Sequence, residues 1–198
     1  MQQLQFPLQL IFKVSSLSND FTAKDTLGNT VAYVKQKLFK LKEDVSIFSD
    51  ETQTNVLYKI KADRWLDFNA AYSFTDAQAS TLGKITRKGV ASIFNASYQL
   101  FDKHDQMKYT ITEKNAWVKV ADGLLGEIPI LGFFTGYLFN PTYYILDVNN
   151  EIVVEIKKEA SFWGRKFTME KRTERINEDQ LIVLLGSMMM ILLERRRG

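Results

Sequence analysis

The residues in this chain that could do chemistry are mostly cationic, and their spacing matters more than their number. Lys35 and Lys37 are two apart, as are Lys40 and Lys42, and in an extended strand that spacing puts each pair on one face. Such pairs can hold an anion between two ammonium groups; the same pattern serves on solvated outer strand faces, where lysines also guard sheet edges against pairing. Arg87-Lys88, Arg165-Lys166 and Lys171-Arg172 are further basic groups that a fold could bring together. His104 is the single histidine, set between Lys103 and Asp105 in a charged turn, with neither a second histidine nor a cysteine for a metal site. No nucleophile–base spacing, metal cluster or phosphate-cradling glycine loop is present, so no catalytic residue, metal or cofactor is expected and the chain reads as a non-enzyme.

Composition narrows the classes further. The 198 residues are 45% hydrophobic, 25% charged and 13% aromatic, an ordinary globular balance whose aromatic excess leans towards β structure. The length suits one domain, residues 1–198. A net charge of +3 gives no reason to expect nucleic acid. The chain has no cysteine, which excludes disulfides and palmitoylation and fits a reducing compartment. Met1-Gln2-Gln3 is not a basic leader, so a cytoplasmic protein, peripheral at a membrane if it meets one, is expected.

One unit recurs along the chain. An apolar stretch ends in Asp, a few turn residues follow, and an alternating strand leads away. Asp25, Asp50, Asp76, Asp102 and Asp147 each occupy this position, predicting five hairpins in which the carboxylate makes a side-chain turn rather than a calcium ligand. With Leu4–Val14 at the start and Phe167–Lys171 near the end, about twelve antiparallel strands are expected. Asn115–Leu125 breaks the pattern as a short predicted helix. After it, Leu131–Phe139 is a greasy loop in which Phe133, Phe134 and Tyr137 suit a membrane or partner contact, or a plug packed over the barrel mouth.

The end of the chain decides the architecture. Leu181–Leu193 reads LIVLLGSMMMILL, preceded by Asn177-Glu178-Asp179 and followed by Glu194-Arg195-Arg196-Arg197. As a helix it covers about 20 Å, too short for a hydrocarbon core of about 30 Å. Its apolar residues cover every side, so it must be buried in protein, with Asn177 expected as its N-cap. The expected fold is mainly β: a closed antiparallel barrel of about twelve strands around this helix.

Pro7-Leu8-Gln9-Leu10 with Lys13, Phe21–Asp25 with Gly28, Phe39-Lys40-Leu41, Ser49-Asp50 and the final helix resemble the LURP-one-related proteins. Phe139-Asn140-Pro141-Thr142-Tyr143 is similar to that family and to the phospholipid scramblases. The resemblance implies the tubby C-terminal-like superfamily, with a twelve-stranded barrel around a C-terminal helix. It also implies phosphoinositide or other phospholipid binding at a membrane surface. Since tubby proteins use a basic pair of this spacing on a strand, Lys35, Lys37, Lys40 and Lys42 are the first candidate headgroup ligands, to which the basic pair Arg87 and Lys88 is added from its charge alone. A scramblase-like lipid-handling role or a protein–protein interaction module is the alternative. The chain lacks the cysteine-rich and proline-rich segments of scramblases, and Asp147–Glu151 reads better as a hairpin turn than as a calcium segment.

Overall fold

The computed structural model describes residues 4–13, 20–36, 44–63, 70–87, 97–114, 141–160 and 166–195. Twelve strands run antiparallel in sequence order and close on themselves, β1 (Leu8–Phe12) pairing with both β2 (Phe21–Lys24) and β12 (Lys166–Lys171). Between them lie β3 (Thr30–Gln36), β4 (Asp44–Phe48), β5 (Val56–Ala62), β6 (Ala71–Asp76) and β7 (Thr81–Arg87). The circuit continues through β8 (Ser97–Asp102), β9 (Met107–Glu113), β10 (Thr142–Leu146) and β11 (Ile152–Lys158). Closure pairs every strand edge, which removes the unpaired backbone groups that an open sheet would expose.

Alternation sets the two faces. Leu8, Leu10 and Phe12 point inwards on β1, and Tyr98 and Leu100 do so on β8, all buried. Inside runs α1 (Gln180–Arg195), on which every residue from Val183 to Leu193 is buried. The expected barrel and its helical core are both present. Asn177, however, is not the cap of α1. It closes a single 3-10 turn, Glu174–Ile176, and the first helical hydrogen bond runs from Val183 N to Asp179 O, 3.0 Å. The acidic side chain at this helix start is therefore that of Asp179, where the helix dipole favours negative charge.

The five predicted hairpins share one geometry. In each, the Asp Oδ1 accepts from the backbone N–H two residues on: Leu27 at 2.9 Å, Thr52 at 2.8 Å, Gln78 at 3.0 Å, His104 at 2.8 Å and Asn149 at 2.9 Å. The residue three after each Asp has positive φ: Gly28, Gln53, Ala79, Asp105 and Asn150. A register shift beside each turn completes the pattern of a type I turn followed by a left-handed residue and a bulge. The aspartates are thus engaged with backbone, as a turn reading requires. Hydrogen bonds hold the carboxyls of Asp25, Asp50 and Asp102 below the usual carboxylate range, led by the Asn29 side chain, the Thr52 side chain and the Gln106 backbone respectively.

Because the strands simply alternate up and down, all five tight turns lie at one end of the barrel. The chain also enters α1 at that end, from β12. Segments 14–19, 37–43, 64–69, 88–96, 115–140 and 161–165 fall outside the described residues.

Candidate functional site: a cavity beside the central helix

The helix is held at both ends by buried phenols. Tyr109 on β9 donates to Asp179 Oδ2 at 2.9 Å, and Tyr98 on β8 donates to Glu194. Burial first, and then Asp179, push the Tyr109 phenol well above its ordinary pKa, so it remains a neutral donor. The segment before β1 is tied to the helix as well, by Leu4 N donating to Gln180 Oε1 at 2.9 Å.

Between these ties the helix is not centred. Its backbone comes closest to β7 and β8. Gly186 makes this approach possible: a Cβ there would lie 2.3 Å from Leu100 Cδ2 on β8. Leaning to that wall leaves room on another side, and a cavity of about 570 Å³ lies between the helix and β3–β5. That size is within the ~300–1,000 Å³ typical of small-molecule sites.

The cavity has an apolar floor and a polar rim. Ala32, Ile47, Leu184, Leu185 and Met188 form the floor and are all buried. Gln5, Leu27, Asn29 and Thr30 are exposed at the mouth, beside half-buried Asp25 and Tyr58. Burial, followed by the nearby Asp76 carboxylate, raises the pKa of the Tyr58 phenol. Small inward residues widen this sector: Ala23 of β2 pairs with Ala32 of β3, where neighbouring inward positions carry Leu10 and Ile47. An apolar floor under a polar rim suits an amphiphile, with its chain inside and its headgroup in water.

The cationic candidates lie elsewhere. Lys35 is near the far end of β3, pairs with Ser46, and its Nζ donates to Gln53 Oε1 at 2.7 Å. Arg87 ends β7 in the inward series of Gly83 and Ile85, opposite Tyr98. Three strands separate β3 from β7, so these two cations do not form one site. Lys37, Lys40, Lys42, Lys88, Phe133, Phe134 and Tyr137 lie outside the described residues, as do the predicted Asn115–Leu125 helix, Arg165, Arg196 and Arg197. His104 is exposed in the β8–β9 turn. Among the described residues no group of three acidic or histidine side chains could hold a metal, and no helix is long and apolar enough to cross a membrane.

Sequence reasoning missed the cavity altogether. One signal was available, the paired small residues Ala23 and Ala32 at inward positions of neighbouring strands. The exposed large apolar side chains Leu27, Met107 and Val148 also share an end: each lies in or beside a tight turn, and Leu27 at the cavity mouth is 76% exposed.

Comparison with known proteins agrees with this architecture. The family profile described as LURP-one-related matches residues 30–182, and the chain belongs to that family. A crystal structure of an Arabidopsis thaliana protein superposes with a TM-score of 0.51 at 12% identity, covering 98% of this chain and 94% of the other. At that identity the likeness is one of fold. No curated protein matches the chain.

Proposed function

We propose that this chain is a non-enzymatic lipid-binding protein that receives the apolar part of a membrane lipid in the cavity beside α1. The observation that carries the reading is the cavity itself, with buried aliphatic and thioether side chains below and exposed polar groups at the mouth. Binding there needs no change of strand pairing: the chain of the ligand would pack over Ile47, Leu184, Leu185 and Met188, side chains already withdrawn from solvent. At about 25 cal/mol per Å² of apolar surface, a single aliphatic chain removed from water gives ample driving force for micromolar affinity after the costs of association.

Exposed Leu27 at the mouth favours a membrane lipid over a freely soluble ligand, since an apolar side chain standing in water at the entrance would rest in the interfacial layer. Anion capture through Lys35 draws less support, because its ammonium is already engaged by Gln53.

The reading is tested with delipidated protein and 1-monolauroylglycerol below its micellar concentration, followed by native mass spectrometry and thermal unfolding. Saturable one-to-one binding with a raised melting temperature is expected. Ala32→Leu, which fills the floor, should abolish binding while the apo protein keeps or raises its own melting temperature. Absence of binding to the wild type, or equal binding to a folded Ala32→Leu protein, contradicts the proposal.

A further inference from the structure

The rim of the cavity carries an electrostatic preference. Of the described residues that line it only Asp25 bears a formal charge, and that charge is negative. Asp25 is fixed rather than free to swing away: Oδ1 accepts from Leu27 N at 2.9 Å and Asn29 N at 2.8 Å, and Oδ2 accepts from Asn29 Nδ2 at 3.0 Å. These bonds also favour its ionised form, so the carboxylate is charged at neutral pH. Across the mouth, the Tyr58 phenol feels the Asp76 carboxylate of the next turn.

A ligand whose chain lies on Leu184, Leu185 and Met188 must leave its headgroup at this rim. A carboxylate or phosphate there would face Asp25 with no cation among the described lining residues to offset it. A group that donates hydrogen bonds or carries positive charge would meet an acceptor already held in place, with unused lone pairs on its carboxylate.

We propose that the cavity selects single-chain amphiphiles whose headgroup is a hydrogen-bond donor without negative charge, and rejects anionic ones. This rests on the chain-binding reading above and specifies its ligand class. Selection arises at the mouth, through Asp25, and not at the apolar floor, which treats all chains of one length alike. It also turns the cavity away from the acidic phospholipids that clusters of lysine would seek.

Three ligands of one chain length separate the terms: laurate, 1-monolauroylglycerol and dodecylamine, each titrated below its micellar concentration at pH 7 by isothermal calorimetry. The wild type is expected to bind the glycerol ester and the amine about fivefold to tenfold more tightly than laurate, the size of one unscreened charge contact at a partly exposed rim. Asp25→Asn keeps an acceptor oxygen for the turn and removes the charge, so the gap between amine and laurate should shrink several-fold. Raising the salt concentration on wild-type protein should narrow the same gap, which tests the charge without a substitution. Laurate binding as tightly as the amine, or a gap insensitive to both salt and Asp25→Asn, overturns the selection. Failure of all three ligands to bind overturns the chain-binding reading instead, so the two outcomes are distinct.

Discussion

Gly186 of the central helix and Leu100 of β8 are packed so closely that one added methyl group would stand 2.3 Å from Leu100 Cδ2. Both residues are buried, so the Leu100 side chain would have to turn within the packed interior to admit that methyl group. The contact sets the position of α1 in the barrel, and so the width of the cavity on the β3–β5 side.

Gly186→Ala should therefore destabilise the protein by about 1–3 kcal/mol despite the better helix propensity of alanine, because overpacking costs more than propensity returns. Leu100→Ala alone should cost about 2–5 kcal/mol. In the double variant the two costs should not add: the methyl group introduced on the helix would enter the space left by the shortened side chain on β8. Denaturant unfolding of the four proteins checks this, and additive costs would show that the two side chains do not compete for the same volume.

The tie between Tyr109 and Asp179 gives stability an alkaline dependence. Burial and the Asp179 carboxylate raise the Tyr109 pKa above its ordinary value near 10. A group raised on folding contributes stability that is complete below the unfolded pKa and is lost as pH climbs towards the folded value. Wild-type stability should thus decline above about pH 10. Tyr109→Phe should cost about 1–3 kcal/mol at pH 7 and decline less steeply over the same range, as urea midpoints between about pH 8 and 11 would report.

The repeated turn contains a correctable imperfection. Ala79 has φ of 65°, a left-handed conformation that costs an L-residue about 1–2 kcal/mol and glycine very little. Replacing it with glycine also frees the unfolded chain, at about 0.4–1 kcal/mol. Ala79→Gly should then stabilise the protein by about 0.5–1 kcal/mol, read from the denaturant midpoint. A loss of stability would mean that the methyl group makes contacts that outweigh the backbone strain.

Much of the architecture was legible because two local codes agree. Inward–outward alternation and Asp-led turns both divide the chain at the same points, so the stretch Leu4–Val14 contains β1 and Phe167–Lys171 lies within β12. The all-round apolar run Leu181–Leu193 could only be a buried helix, and it is. Its start was not legible because Asn177 and Asp179 are both good caps, and neither the 3-10 turn that Asn177 closes nor the bond from Tyr109 to Asp179, seventy residues away in sequence, shows in the local pattern. The cavity was not legible for the same kind of reason: it follows from a helix displaced by Gly186 against Leu100, a contact between residues far apart in the chain. Lys35 stands on an outer strand face, as its spacing suggested, but its engagement with Gln53 depends on the neighbouring turn.

The helix should also prove indispensable. Truncation before Leu181 would leave the inward side chains of twelve strands around a void, and the product should lack cooperative unfolding and dispersed amide resonances. A soluble, folded barrel lacking Leu181–Gly198 would show that the helix is an appendage and not the core.

The most direct measurement concerns where an aliphatic chain goes. A monoacylglycerol with a diazirine at the chain terminus, bound to delipidated protein and photolysed, would mark the residues touching that terminus, which peptide mass spectrometry can locate. Label concentrated on the peptide bearing Leu184, Leu185 and Met188 and on Ile47 or Ala32, and competed away by unlabelled ligand, is the result expected here. Label spread over outer strand faces, or unaffected by competitor, would contradict a chain-binding cavity beside the helix.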